Sequence, residues 1–130
     1  MSELSKFKVY TDALEIVNAV LKSHKHFIHE YKYTLGNETV TKSLQMMDAV
    51  IEGLREYDKG KKADRYRDAI KYADEVESRI LLASDNQCMD NEHAGWYIDH
   101  IPALRKQLEG LVNSLARRNG SSTDGQRTCD

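Results

Sequence analysis

From Phe7 onward, apolar residues recur in alternating steps of three and four, at Phe7, Tyr10, Leu14, Val17 and Leu21. His24 holds the next step, and Ile28 and Tyr31 follow. Thr11, Asn18, Lys22, Lys25 and Lys32 fall on the opposite side. The pattern predicts one amphipathic helix of about six turns. A second apolar row, Ala13, Ile16, Val20 and Phe27, makes its buried face wider than a two-stranded seam needs. Tyr33-Thr34-Leu35-Gly36-Asn37 interrupts the pattern, with Thr34 or Asn37 as a cap for the next helix. The second seam is Val40, Leu44, Met47, Ile51 and Leu54, flanked by Met46, Val50 and Tyr57. Gly60 is placed to end this helix as a left-handed cap, and Asp64 to start the third. The third seam is Tyr66, Ala69, Ala73, Val76, Ile80 and Ala83, supported by Ile70 and Leu81. After a polar turn over 84–91, the fourth runs through Tyr97, Ile101, Leu104, Leu108, Leu111 and Leu115. Pro102 lies inside it and either kinks the helix or sits in the first turn of a longer one that follows a short helix.

Four amphipathic segments with short connections predict an all-α fold, an antiparallel up-down-up-down four-helix bundle over 1–118. The polar stretch 119–130, with Cys129 its one apolar residue, is expected to be a disordered tail. A chain of 130 residues with a single proline has too few turns for an all-β sandwich or barrel. It holds no apolar run of membrane-spanning length, so no membrane role is expected. Its first residues, Met1-Ser2-Glu3-Leu4-Ser5-Lys6, lack the apolar core of a signal peptide. The two cysteines, Cys88 and Cys129, are far apart, which argues against a secreted disulfide scaffold and for a reducing cytoplasm.

The chemistry available to such a bundle is limited. There is no glycine-rich phosphate loop, CxxC pair, HExxH or Glu-x-x-His repeat. Glu15, Glu52, Glu75, Glu77 and Glu109 are scattered, without a partner carboxylate at a defined spacing. From these residues we expect a non-enzyme without cofactor. His24, His26 and His29 near the end of the first helix fall at the same pole as Cys88, Asp90 and His93. Their spacing matches no standard zinc pattern, so no metal is expected, and His24 reads as a neutral, hydrogen-bonded core histidine. Trp96 and Tyr97 read as core, with a small pocket as the alternative.

Charge changes the picture more. The net charge is only −2. Residues 55–67 nevertheless hold six basic and three acidic residues, net +3. In the expected topology Arg117 and Arg118 join that pole, raising it to +5 and leaving −7 elsewhere. The candidate nucleic-acid-binding residues are therefore Arg55, Tyr57, Lys59, Lys61, Lys62, Arg65, Tyr66, Arg67, Arg117 and Arg118. Tyr57 and Tyr66 flank the lysines as stacking platforms, worth roughly 1–3 kcal/mol per stacked base. The plainer reading is a solvated loop whose cations answer helix dipoles.

Three segments carry a family resemblance. Lys8-Val9-Tyr10-Thr11-Asp12-Ala13-Leu14-Glu15 resembles the opening of small bacterial four-helix-bundle proteins encoded in intervening sequences of ribosomal RNA genes. One branch of that family is the accessory variability determinant of diversity-generating retroelements. Phe27-Ile28-His29-Glu30-Tyr31-Lys32-Tyr33-Thr34-Leu35-Gly36 resembles its first interhelix turn, and Arg79-Ile80-Leu81-Leu82-Ala83 the end of its third helix. The likeness covers about residues 6–118. It implies a toroidal homopentamer without catalytic residues that binds a reverse transcriptase and RNA and supports cDNA synthesis. Two features depart from the retroelement branch, whose members are usually basic and often end the fourth helix with a Gly-Gly-Trp-like stretch. Here the charge is −2, Leu111-Val112-Asn113-Ser114-Leu115 holds that place, and the one tryptophan is Trp96. The alternatives are a protein–protein scaffold with no nucleic-acid contact and a small metal-binding bundle.

Overall fold

The computed structural model describes residues 3–123, with side chains as far as Arg117. It is all-helical, with no strand among the described residues. A 3-10 turn, Glu3–Lys6, leads into α1, Lys8–His24. A one-turn helix, His29–Tyr31, and a π-helical turn, Lys32–Gly36, lead into α2, Asn37–Arg55. The two longest helices follow, α3, Lys59–Asp85, and α4, Asn91–Thr123. The main packing is α1 on α2 and α4, and α3 on α2 and α4. No helix among the described residues is long and apolar enough to cross a membrane.

The seams of α3 and α4 are those expected, except that Leu111 is only partly buried and Leu81, expected to support the α3 seam, is exposed. Tyr66, Ala69, Ala73, Val76, Ile80 and Ala83 are buried, as are Tyr97, Ile101, Leu104, Leu108 and Leu115. On α1 and α2 the most buried row is the second apolar row, one residue or about 100° from the first, and Val17 and Met47 of the first row are buried as well. α1 buries Val9, Ala13, Ile16, Val17 and Val20, leaving Phe7 and Leu21 exposed. α2 buries Thr39, Ser43, Met46, Met47, Ala49, Val50 and Gly53, while Leu44 is 45% exposed. At Gly53 a Cβ would lie 2.5 Å from the Tyr66 ring, so the backbone itself forms the contact.

Helix ends also differ from expectation. α1 stops at His24 instead of continuing to Tyr31, because Phe27 folds inward and is buried. Gly36 permits this, since a Cβ there would meet the His24 ring at 3.2 Å and the Phe27 ring at 3.4 Å. Asp58, not Asp64, caps α3 by accepting the Lys61 N–H at 2.9 Å. Gly60 therefore lies in the first turn of α3, and it has no positive φ. α4 is a single helix through Pro102. The carbonyl of Ile98 that Pro102 leaves without its helical donor belongs to an exposed residue, where water can serve it. Since α4 is assigned to Thr123, the expected tail from 119 begins within it, and 124–130 lie outside the described residues.

α3 ends in a Schellman motif. The Cys88 N–H donates to the Ala83 carbonyl at 2.8 Å and the Gln87 N–H to the Ser84 carbonyl at 3.1 Å. Gln87 takes the left-handed position, φ 62°, usually held by glycine. Relieving its Cβ should outweigh the greater chain entropy of glycine. Gln87→Gly is expected to raise stability by about 0.5–1 kcal/mol in chemical denaturation.

Candidate nucleic-acid interface

The loop Glu56-Tyr57-Asp58 joins α2 to α3, and its geometry separates the ten candidate residues by role. Tyr57 is 98% exposed, so its ring is open to a stacking partner on both faces. Tyr66 is 2% exposed and packed on Gly53, which corrects its assignment as a stacking platform. Its spacing placed it in the core seam as well, and the seam wins because an aromatic ring gains more from burial than from water. Burial pushes its hydroxyl pKa up.

Lys62 is also spoken for. Its ammonium donates to the carbonyls of Gly53 at 2.7 Å, Glu56 at 3.3 Å and Leu54 at 3.4 Å, so it closes the C-terminus of α2. Burial pulls its pKa down, and the Glu56 carboxylate opposes that. Arg65 pairs with Asp68 at 3.1 Å and Arg67 with Asp64 at 2.9 Å, both within one turn of α3. These exposed pairs are weak, and a phosphate would compete with a neighbouring carboxylate for each guanidinium. Arg55, Lys59 and Lys61 are exposed, with no side-chain partner among the described residues. They surround Tyr57 in sequence. Arg117 is exposed about two turns beyond Gly110, which lines a groove with Phe7, Leu54 and Lys62. The Arg118 side chain lies outside the described residues.

The structure adds residues that sequence reasoning missed. A cavity of 730 Å³ beside Tyr57 is lined by Arg55, Lys62, Leu54 and Glu56, and also by Glu3, Lys6 and Phe7 from the start of the chain. The Lys6 ammonium lies 5.4 Å from the centre of the Phe7 ring, which is 39% exposed. The signal was topological. The start of the chain shares this cavity with the loop, whereas the basic pole read from the sequence held only the loop and the end of α4. Glu3 and Glu56 dilute the positive field inside the cavity, so its cationic strength lies at the rim.

At the other end of the helices, His24 Nε2 bonds Asn37 Oδ1 at 2.7 Å across the α1–α2 connection, and the ring is half-buried. Asp90 accepts the His93 N–H at 2.8 Å and holds His93 Nδ1, an N-terminal cap on α4. Cys88 is buried, and burial together with Glu30 pushes its thiol pKa up. Among the described residues no three His, Cys, Asp or Glu side chains come together as metal ligands would.

No family model matches this chain, and no curated protein matches it.

Proposed function

We propose that this chain is an antiparallel up-down-up-down bundle acting as a non-enzymatic, RNA-binding accessory protein, with the end around Tyr57 as its RNA-contacting surface. The topology is supported by pairs whose order reverses between neighbouring helices. Asp12 meets Gln107 while Ser23 meets Tyr97, and Glu38 meets Arg79 while Gly53 meets Tyr66. One observation carries the function: a fully solvated tyrosine flanked in sequence by three cations, Arg55, Lys59 and Lys61, that no acidic side chain pairs with among the described residues. An exposed aromatic ring beside unpaired cations is what single-stranded nucleic acid engages.

A ring-like homo-oligomer, a homopentamer as the resemblance implies, would repeat this surface around an axis. Multivalency then lets a chain of net −2 hold RNA. Exposed Leu21, Leu44, Leu81, Leu82 and Ile98 supply apolar surface for such contacts. A reverse transcriptase is the protein partner that the same resemblance suggests, and a reducing cytoplasm the compartment.

The test is asymmetric. Arg55→Gln, Lys59→Gln and Lys61→Gln together should abolish binding to single-stranded RNA at about 50 mM salt. Lys32→Gln, Lys71→Gln and Lys106→Gln together should leave most of it. For the unmodified protein, log affinity should fall by roughly 0.7 per log unit of salt for each phosphate neutralised. Equal losses in both triple variants would mean diffuse electrostatics without a site. No binding by the unmodified protein would leave a protein–protein scaffold as the better reading.

A further inference from the structure

The end of the helices away from Tyr57 carries a second cavity of different character. It has a volume of 430 Å³ and lies between the last turn of α1 and the first turns of α4. Its wall includes Lys22, Lys25, His26, His93, Trp96 and Tyr97, and no carboxylate. Asp90 belongs to an adjoining cavity of 280 Å³, where it is engaged by the His93 backbone and ring. The cavity beside Tyr57, by contrast, has two glutamates in its wall.

Trp96 is braced from two sides. Its ring stacks on the His100 imidazole at 3.9 Å between centres, and it meets the Tyr97 ring edge-on at 5.2 Å. The His100 ring is fixed in turn by a 2.8 Å hydrogen bond between Nδ1 and the Trp96 carbonyl oxygen. A half-buried indole held this way is a preorganised aromatic wall, which lowers the ordering cost of binding a flat ring. The Tyr97 hydroxyl, on a residue 2% exposed, bonds the Ser23 hydroxyl at 2.9 Å, and both residues line the cavity. Two hydroxyls own two hydrogens and their mutual bond uses one. The other has no partner among the described residues and is free for a ligand oxygen.

We propose that this cavity binds a nucleoside monophosphate, with the base against Trp96 and the phosphate on Lys22 and Lys25. The volume lies in the range of small-molecule sites. Two flexible ammonium groups beside an aromatic wall, with no competing acid, select a ligand that is both flat and anionic. The residues are disjoint from those around Tyr57, so this site stands or falls independently of RNA binding there.

Trp96 is the only tryptophan, so intrinsic fluorescence reads the site without a label. Titration with adenosine 5′-monophosphate is expected to change the emission saturably, and inorganic phosphate alone is expected not to. Lys22→Gln with Lys25→Gln should weaken the affinity about tenfold or more, with an unchanged circular dichroism spectrum because both lysines are exposed. The combined Arg55, Lys59 and Lys61 variant should titrate like the unmodified protein. A 5′-phosphorylated single-stranded oligonucleotide separates two sources of the same chemistry. Saturation well below the mononucleotide concentration assigns the site to the end of a strand, and otherwise it belongs to the free nucleotide. No saturable change with either ligand overturns the proposal. So does equal affinity in the lysine variant, or adenosine binding as tightly as its monophosphate.

Discussion

Leu108→Ala is expected to lower the unfolding free energy by about 2–5 kcal/mol, whereas Leu44→Ala should cost less than about 1 kcal/mol. Both leucines occupy mid-helix positions of equal apolar spacing. Leu108 is wholly buried between the helices, and removing its branched end would leave a cavity that the rigid neighbours Ile101, Leu104 and Leu115 on the same face cannot fill. Leu44 is 45% exposed, so part of its surface never leaves water and the site can relax into solvent. Parallel chemical denaturation of the two variants measures the difference. Similar losses would mean that Leu44 is covered in solution, as it would be within an oligomer. That outcome should then depend on protein concentration.

Gly53→Ala is expected to destabilise by about 1–3 kcal/mol, although alanine is the better helix former by about 1 kcal/mol. The new Cβ would fall 2.5 and 2.7 Å from two carbons of the Tyr66 ring. That ring is buried and is not the free end of a flexible chain, so α2 and α3 must move apart. The Gly53 carbonyl also receives the Lys62 ammonium at 2.7 Å, and displacing it strains the closure of α2. In a Tyr66→Leu background the added methyl has room, and Gly53→Ala should there be neutral or stabilising. A double-mutant cycle measures this coupling, and additive effects would rule out the contact as the cause.

The sequence made α3 and α4 legible almost residue by residue because one unbroken row at helical spacing, alanine-rich on α3 and leucine-rich on α4, is the row that packs. On α1 and α2 two apolar rows compete, and the second of them packs most deeply. There volume enters as well: Gly53 faces inward where a Cβ would lie 2.5 Å from the Tyr66 ring. Periodicity weights leucine above glycine and cannot register a contact that needs a missing side chain. The end of α1 was hidden for a similar reason. Phe27 continues the apolar spacing, and only its packing on Gly36 shows that the chain turns there.

Of the candidate RNA-contacting surface, composition located the basic loop but not the work its members already do. Nothing in the spacing of Lys62 distinguishes a cation that closes a helix from one that meets a phosphate. Tyr57 continues the apolar spacing of α2, but the helix ends at Arg55, so its ring lies in a solvated loop while Tyr66 lies on the inward face of α3. The contribution of Lys6 depended on which helix ends meet in space.

Cys88 offers a clock for motions of the opposite end. Its backbone N–H fastens the last turn of α3, and its side chain is buried beneath the connection to α4. A thiol kept protonated by burial is a poor nucleophile, so alkylation must wait for that turn to come undone. The labelling rate of Cys88 under native conditions would thus time local opening of the α3–α4 connection, separately from global unfolding.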